Sequence, residues 1–323
     1  MQTSIFINEN INPTVRTGDP FAARTSKDKR VLVVICAHNE VESLPYLLHQ
    51  LGRSEILVVD DGSTDGTGPA AELAGAYVLR HPMRLGKSTS LAHAIEYAVE
   101  NEYDTIVEIG ADAIPTEGAI ELLLRLLEPA GVGGVSLVQI PVGPKNLAYR
   151  IDELIWSVLA HGKRLQMVKY GNSHLGGVMY AFKPSCVSSV DSSVNDDEHV
   201  GECIKMSGFR TIFADISQVY FDASSSIGHI LQRRRRMYFG HMMFAKSTAP
   251  SMDNAVAATA FMRSLLEKPS RLAAAVPALA LEALARSGAW RDHRRPKAKE
   301  EYRRWVTTYA KNNTLLIRNR ADS

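Results

Sequence analysis

The stretch Val58-Val59-Asp60-Asp61-Gly62-Ser63-Thr64-Asp65-Gly66-Thr67 (VVDDGSTDGT) runs from an apolar segment straight into two adjacent carboxylates. A third carboxylate, Asp65, follows among Gly, Ser and Thr. Asp and Gly are common in turns, so the stretch suits a capped turn between a strand and a helix. It equally suits a site for a cation or for a ligand rich in hydroxyl and N–H groups. The stretch alone leaves both interpretations open.

The sequence on either side of this stretch predicts its place in the fold. The continuous apolar run 31–35 is typical of a strand buried on both faces, and leucines at 44, 47, 48 and 51 follow helical spacing. Strand and helix patterns then alternate as far as about residue 128. This order predicts an α/β fold with a mostly parallel, doubly wound sheet. Ligands of such sheets bind beyond the carboxyl ends of the strands, where Asp60, Asp61 and Asp112 fall.

The chain divides into three predicted parts. Residues 1–29 form an N-terminal arm, and residues 30–227 form the α/β domain. Residues 228–323 form a helical, basic and alanine-rich C-terminal extension. Its tail is either an amphipathic element on a membrane surface or a helix that packs on the domain or on a partner subunit, and the sequence favours packing.

Composition excludes several classes of protein. The chain has 323 residues and a net charge of only +2, so no overall field attracts nucleic acid. The three cysteines lie far apart without metal-ligand spacing, which favours reduced thiols in a cytoplasmic protein. No unbroken apolar run reaches the roughly 20 residues that a membrane-spanning helix needs. We therefore expect a cytoplasmic protein, with peripheral contact at the inner face of the membrane left open.

A set of segments in a fixed order resembles one known family. The segments are VVICAHNE, VVDDGSTDGT, RLGKSTSLAHAIEYA, IGADAIPTEGAI, DDEHVGECIKMSGFR and, more loosely, QRRRRM. From about residue 30 to 240 the chain resembles the inverting family-2 glycosyltransferases, which have the GT-A fold. The resemblance implies a hexosyltransferase that moves a sugar from a nucleotide-diphosphate donor to a hydroxyl acceptor by single displacement. A UDP-sugar is favoured, with a GDP-sugar as the alternative.

The resemblance also assigns the donor-binding residues. Asn39, Glu40, Asp60 and Asp61 would hold the base and ribose of the donor. Lys87 would approach the base or the phosphates. Without the resemblance, an exposed lysine at a helix start is an equally good interpretation of Lys87.

The acidic turn GADA corresponds to the family's metal-binding Asp-x-Asp turn, but Gly110 stands where the first Asp is expected. Asp112 is then the single metal-binding carboxylate of the turn. A divalent cation, Mn²⁺ or Mg²⁺, would take its other ligands from diphosphate oxygens and water, with weakened affinity. Glu108 is close in sequence, but we expect it to face the core.

The pair Asp196-Asp197 corresponds to the family's catalytic acids. Its distance from Gly208-Phe209 assigns Asp197 as the general base that takes the proton of the acceptor hydroxyl, with Asp196 beside it. The alternative is that both carboxylates only cap a helix.

In the segment QRRRRM, Gln232 and Arg235 match a motif of the family's processive members, while Arg236 replaces its Trp. The arginines would contact the donor diphosphate or the acceptor. Anionic lipid headgroups and a solvated helix face are the alternatives. Loss of the Trp argues against a polymer synthase.

Other partners and functions stay open at this point. The acceptor is a small metabolite, a glycan or a lipid phosphate, and the C-terminal helices are candidates for membrane contact or homo-oligomerisation. A sugar-nucleotide nucleotidyltransferase would need a Gly-rich loop after the first strand, and CAHNEVES has no glycine. A non-catalytic nucleotide-sugar-binding protein is favoured by Gly110 and disfavoured by the two intact acidic pairs.

Overall fold

The structure is a computed structural model that describes residues 29–52, 54–188, 190, 194–243 and 254–304. The predicted N-terminal arm, apart from Lys29, and the end of the C-terminal extension lie outside the described residues. The strands are β1 (Val31–Ala37), β2 (Ile56–Asp60), β3 (Tyr77–Arg80), β4 (Thr105–Ile109), β5 (Ala113–Pro115), β6 (Val132–Val142), β7 (Met179–Phe182) and β8 (Arg210–Asp222).

Within the described residues these strands form one sheet in the order β3-β2-β1-β4-β7-β6-β8-β5. Strands β1 to β4 are parallel to one another, and β6 is parallel to β8, which confirms the predicted mostly parallel sheet. Strand β7 runs antiparallel to both β4 and β6, and β5 runs antiparallel to β8. The acidic turn after Ile109 redirects the chain, so that the short strand β5 pairs with β8.

Helices cover both faces of the sheet. They are α1 (Leu44–Leu51), α2 (Thr67–Leu73), α3 (Lys87–Glu100), α4 (Ala119–Leu127), α5 (Leu147–Tyr170) and α6 (Asp196–Met206). Alternate residues of β1 point to opposite sides. Val33 and Ile35 join a core with α1 and α4, while Leu32 and Val34 join a core with α3 and α6. The sheet is thus buried on both faces, as its apolar strands predict.

The C-terminal region is helical, as predicted. It comprises α7 (Ile227–Met243), α8 (Asn254–Glu267), α9 (Leu272–His293) and α10 (Ala298–Arg303). Helices α7 and α9 pack on α5 through a third apolar cluster, which α8 also joins. Among the described residues, the segment Pro269–His293 is long and apolar enough to cross a membrane, with a mean hydropathy of 1.3. The sequence expectation rested on unbroken apolar runs. Single charged residues interrupt this segment, although its mean hydropathy stays high.

Candidate active site

The stretch VVDDGSTDGT forms β2 and the loop at its carboxyl end, where Asp61 organises a second loop. Asp61 is only 4% exposed, and its Oδ1 accepts hydrogen bonds from the Leu85 N–H at 2.7 Å and from His81 Nδ1 at 2.9 Å. Its Oδ2 accepts from the Gly86 N–H at 2.8 Å. Burial acts to raise the pKa of Asp61, but these hydrogen bonds outweigh burial, and the pKa lies below its usual value. Asp61 is therefore held ionised.

Gly62 allows the two loops to lie against each other. It has a left-handed φ of +68°, and a Cβ there would lie 2.6 Å from the Met83 carbonyl carbon. The neighbouring Asp60 accepts from the Ser63 N–H at 2.9 Å. Each carboxylate thus has its own N–H donors, so the repulsion between adjacent charges is offset.

Asn39 and Glu40 lie at the end of β1, against the same loop. Asn39 Oδ1 accepts from the Thr64 N–H at 2.9 Å, and its own N–H donates to Ser63 Oγ at 2.9 Å. Glu40 Oε2 accepts from Ser43 Oγ at 2.6 Å. Both side chains are half-buried. The structure therefore brings these predicted donor-binding residues together with Asp60 and Asp61 at one edge of the sheet.

Lys87, at the start of α3, joins the two halves of the site. Its Nζ lies 3.0 Å from Glu108 Oε1 and 3.2 Å from Asp196 Oδ2, and it donates to the Gly177 carbonyl at 3.2 Å. Glu108 is fully buried, as expected, and burial raises its pKa to about 7 although Lys87 acts in the opposite direction. Lys87 is thus an interior counterion of two acids in this structure, rather than a free surface lysine.

Asp197 lies beside this cluster at the first turn of α6. It is half-buried, whereas Asp196 is 4% exposed, so Asp197 is the more accessible of the two. Burial and the Asp196 charge raise the pKa of Asp197, and Lys87 and Lys163 act against that rise. Burial also lowers the pKa of Lys163 to about 8. A carboxylate with a raised pKa near an opening is suited to accept a proton.

The two acidic pairs lie close together, because the Gly86 N–H donates to Asp61 Oδ2 at 2.8 Å and the next residue, Lys87, has its Nζ 3.2 Å from Asp196 Oδ2. The pKa of the Cys36 thiol responds to both pairs. Burial raises its pKa most, Glu108 raises it further, and Asp196 and Asp61 both add to the rise. Groups from both pairs therefore lie within electrostatic reach of one side chain at the end of β1.

Asp112 lies in the turn between β4 and β5 and is half-buried. Burial raises its pKa, while Lys87 lowers it, so this turn also faces the Lys87 cluster. Among the described residues no three His, Cys, Asp or Glu side chains converge as a metal site. A divalent cation at this turn would take one protein carboxylate, Asp112, and its other ligands from diphosphate and water.

The arginine run lies on α7 and is largely paired. Arg235 donates to both Asp292 oxygens, at 2.5 and 2.6 Å. Arg234 pairs with Glu282 at 2.6 Å, and Arg233 pairs with the fully buried Asp152. The partners all lie on α5 or α9. The structure therefore places Arg235 in a contact between α7 and α9, away from the two acidic pairs, and leaves Gln232 exposed.

Arg236 differs from the rest of the run. It donates to the Val194 carbonyl at 2.7 Å, two residues before Asp196. It also lies near Arg84, whose pKa is lowered first by burial and also by Arg236, while Asp61 raises it. The Arg84 guanidinium is thus within electrostatic reach of both Asp61 and Arg236.

Several residues of this site were missed in the sequence. His81 could have been found, because the parallel register pairs Asp60 with Arg80 and so sets His81 opposite Asp61. Glu108 was expected to face the core, but its pairing with Lys87 was not expected, since Glu108 sits within an apolar strand without a local signal. Lys163 and Arg84 likewise have no distinctive sequence pattern.

These features define a class of protein. They combine a mostly parallel sheet with three acidic features: a nucleotide-type loop after β2, a turn after β4 and a carboxylate pair that faces both. This combination is the GT-A architecture of nucleotide-diphospho-sugar transferases.

Comparison with known proteins agrees with this class. The family model for glycosyl transferase family 2 matches residues 32–189. Undecaprenyl-phosphate mannosyltransferase of Micrococcus luteus is 32% identical over 136 residues, which cover 37% of this chain and 56% of that protein. Polyprenol monophosphomannose synthase of Mycolicibacterium smegmatis is 29% identical over 202 residues, which cover 58% of this chain and 73% of that protein. The chain thus matches little more than half the length of the Micrococcus protein.

Among solved structures, glucosyl-3-phosphoglycerate synthase from Mycobacterium tuberculosis is similar, with a TM-score of 0.46 and 19% identity over 69% of this chain and 81% of that one. The family match and the two relatives support a family-2 glycosyltransferase, with the family match confined to residues 32–189.

Proposed function

We propose that this glycosyltransferase moves a hexose from a nucleotide-diphospho-sugar to a lipid phosphate, by a single displacement that inverts the anomeric carbon. The observation that carries the proposal is the pair Asp196-Asp197 beside Lys87, in the same crevice as Asp60-Asp61. The names of the two curated relatives, a mannosyltransferase and a monophosphomannose synthase of polyprenyl lipids, support mannose and a polyprenyl phosphate as the substrates to test first.

The donor base and ribose would lie against Asn39, Glu40 and Asp60 at the ends of β1 and β2. Asp61 acts through structure in this proposal, because its oxygens already accept three hydrogen bonds that fix the segment 81–86. The sequence favours uridine as the base, with guanosine as the alternative.

The donor diphosphate would lie between Arg84 and Arg236. The two guanidinium groups repel each other, and an anion between them would relieve that repulsion. Arg236 takes this role in place of the predicted Arg235, whose guanidinium is bound to Asp292. A divalent cation held by Asp112 would add positive charge beside the same phosphates.

The chemical step requires a base only when the acceptor oxygen carries a proton. That oxygen attacks the anomeric carbon, and the bond from this carbon to the diphosphate oxygen breaks. Asp197 takes the proton, and the nucleoside diphosphate leaves with its negative charge near Arg84 and Arg236. The half-buried Lys87 stays with Asp196 and Glu108, which keeps two further negative charges from repelling the acceptor.

The cytoplasmic face of a membrane is the proposed place of action. None of the three cysteines forms a disulfide in the described residues, and this suits a reducing compartment. A lipid phosphate also presents its headgroup at that surface.

The test is transfer of labelled mannose from GDP-mannose, and of hexoses from UDP-sugars, to polyprenyl phosphate, with products identified by mass spectrometry. The class of acceptor is determined by comparing the transfer rate of Asp197→Asn with that of wild type over a range of pH. A phosphate monoester loses its second proton near about pH 6, so the defect of the variant should shrink above that pH. An alcohol acceptor would give a defect that persists to high pH. Donor hydrolysis with no transfer to any lipid phosphate would rule out the proposed acceptor.

A further inference from the structure

Helix α9 exposes its large apolar side chains. Leu272, Val276, Leu279 and Trp290 are 60%, 76%, 55% and 53% exposed. At 100° per residue their positions fall within about 40° of one line along the helix. They form a stripe about 27 Å long, from one end of α9 to the other. We call these four residues the α9 stripe.

The opposite face of α9 is buried and consists mainly of small residues. Apart from Leu281 and Asp292, every buried residue of the helix is alanine or glycine. This face packs on α5 and α7 through Ala274, Ala278 and their neighbours. A surface helix of a water-soluble protein normally buries its large apolar residues and exposes polar ones. Helix α9 instead buries mainly small residues and exposes large apolar ones beside polar residues such as Arg286 and Arg291, so its outward face is suited to an interface between water and an apolar phase.

The charge around the stripe indicates which environment that is. Residues 254–304 contain eleven Lys and Arg against five Asp and Glu, a net charge of +6, although the whole chain is only +2. Exposed basic residues flank both ends of the stripe: Arg263 and Lys268 at one end, Arg291, Arg294, Lys297 and Lys299 at the other. Arg294 lies over the Trp290 ring, 3.5 Å from its centre. Apolar side chains bordered by cations and a Trp match the boundary between acyl chains and anionic headgroups.

We propose that the α9 stripe docks this enzyme on a membrane surface rich in anionic lipid, with α9 lying flat in the interface. A spanning orientation is disfavoured because the other face of the helix is committed to the protein. Asp292, at the end of α9, accepts both hydrogen bonds of Arg235 and is 2% exposed. Passage of α9 through a bilayer would separate Asp292 from Arg235 of α7 and place the charged Asp292 in hydrocarbon.

A lipid surface also suits the charge better than a second copy of the chain. Pairing two stripes face to face would bring together two segments of +6 each, and like charges at that distance repel. Anionic headgroups would instead neutralise them.

The docked surface leads directly to the active site. Helix α10 follows α9, and its end lies against the start of α3: a Cβ on Gly86 would come within 2.2 Å of the Arg303 carbonyl oxygen. Arg303 also donates to Thr89 Oγ1 at 2.9 Å. The helix that begins with Lys87 is therefore tied to the membrane-facing region. A lipid-borne acceptor would reach the crevice from the side that docks.

The experiment compares binding of the full chain to vesicles of phosphatidylcholine with and without phosphatidylglycerol, by co-sedimentation. In Val276→Glu/Leu279→Glu we expect binding to the anionic vesicles to fall about tenfold or more, because two apolar contacts are lost and two negative charges are added. The matched control is Leu73→Glu/Met206→Glu, two apolar residues on α2 and α6 that are more exposed than Val276 and Leu279, and it should bind as wild type. Wild type should bind more weakly to vesicles without phosphatidylglycerol.

Several outcomes would overturn the proposal. The first two are unchanged vesicle binding by the α9 double variant and no vesicle binding by wild type. The third is a wild-type dimer, seen by light scattering, that becomes a monomer in this variant. The fourth is resistance of the bound protein to carbonate extraction, which indicates a spanning helix. Trp290 gives a second readout that needs no charged substitution: its emission should shift to the blue with anionic vesicles, and Trp290→Phe should abolish that shift. All of these measurements detect lipid binding and none detects sugar transfer. Failure of the docking proposal can therefore be distinguished from failure of the proposed transfer reaction.

Discussion

Asp60-Asp61 and Asp196-Asp197 are two pairs of adjacent aspartates at one edge of the same sheet, and their surroundings differ. The first pair sits among backbone N–H donors, and hydrogen bonds hold the pKa of Asp61 below its usual value in spite of burial. The second pair sits beside half-buried Lys87 and fully buried Glu108, and burial raises the pKa of Asp197. An ionised carboxylate with fixed partners can hold a loop or a ligand, whereas one with a raised pKa can take up a proton at moderate pH.

The difference comes from the local backbone. After β2 the chain turns through Gly62, which lets residues 83–86 approach and offer their N–H groups to Asp61. Asp196 and Asp197 instead start a helix, where Asp197 lies against Gly177 and few donors reach it. The same Asp-Asp sequence thus contains, in the two places, a carboxyl group with a lowered pKa and one with a raised pKa.

The largest expected effect concerns the second pair. Asp197→Asn keeps the shape of the side chain but removes the proton acceptor, so transfer to a protonated acceptor oxygen should fall about 10²- to 10⁴-fold. Asp196→Asn should cost less, because Asp196 acts through Lys87. Steady-state transfer assays measure both variants, with donor affinity by calorimetry as the control. Wild-type transfer by Asp197→Asn at all pH values would assign the base elsewhere.

The next effect concerns the first pair. Asp61→Ala removes the acceptor of three hydrogen bonds and frees the loop at 81–86, so donor affinity should weaken by about 1–3 kcal/mol. Calorimetric titration with the donor nucleotide measures this change. The matched control is Asp65→Ala, whose carboxylate accepts from the Val41 N–H and from Thr67 at the start of α2. Equal donor affinity in Asp61→Ala and wild type would contradict the structural role given to Asp61.

Stability against pH should separate the two pairs by sign. The folded-state pKa of Asp61 is lowered from 3.8, so its stabilisation is present above that value and is lost as the pH falls through the folded pKa. The folded-state pKa of Asp197 is raised from 3.8, so its ionisation opposes folding as the pH rises through the folded pKa. At neutral pH we therefore expect Asp61→Asn to lower the Tm and Asp197→Asn to raise it, by about 2–4 °C per kcal/mol in a protein of this size.

Thermal unfolding followed by circular dichroism at neutral and acid pH measures both shifts. The difference between each variant and wild type should narrow towards acid pH, where both carboxylates are protonated in wild type. Changes of the same sign in the two variants at neutral pH would contradict the assigned environments.

Much of the fold follows from local patterns. The apolar runs and helical leucine spacing predict β1 to β4 and α1 to α4, because each element's periodicity is decided within the element. The antiparallel insertion of β7 between β4 and β6 depends on pairings far apart in the chain, and no local pattern encodes it.

The candidate site divides in the same way. The acidic residues were found because they follow strands directly, at the edge where ligands bind. Their partners were mostly missed: Asp292 is 57 residues from Arg235, and the Lys87–Glu108 pair exists only once the sheet has formed. Arg235 was therefore predicted to contact phosphate, because the local sequence around Arg235 does not indicate that Asp292 pairs with it in the fold.

The smallest expected effect concerns the acidic turn between the two pairs. Gly110→Asp would restore a second carboxylate beside Asp112. A Cβ at position 110 would lie 3.1 Å from Asp112 Oδ1, so the turn accepts the substitution with a small shift of the Asp112 side chain. Metal affinity in the presence of donor nucleotide should rise by only about threefold to fivefold, because the diphosphate supplies most of the negative charge and nearby Lys87 opposes a cation.

Titration of Mn²⁺ into the protein with bound nucleotide, followed by electron paramagnetic resonance, measures this gain. Gly131→Asp, at an exposed position before β6 where a Cβ meets open space, adds the same charge outside the crevice and is the control. If Gly110→Asp binds Mn²⁺ more tightly and Asp112→Asn more weakly, with no change in the control, the turn faces the diphosphate. If Gly110→Asp and the control have the same affinity, the turn does not contribute to metal binding. The positive charge at the leaving group would then have to come from Arg84, Arg236 and Lys87, and Arg236→Ala should cost more transfer activity than Asp112→Asn.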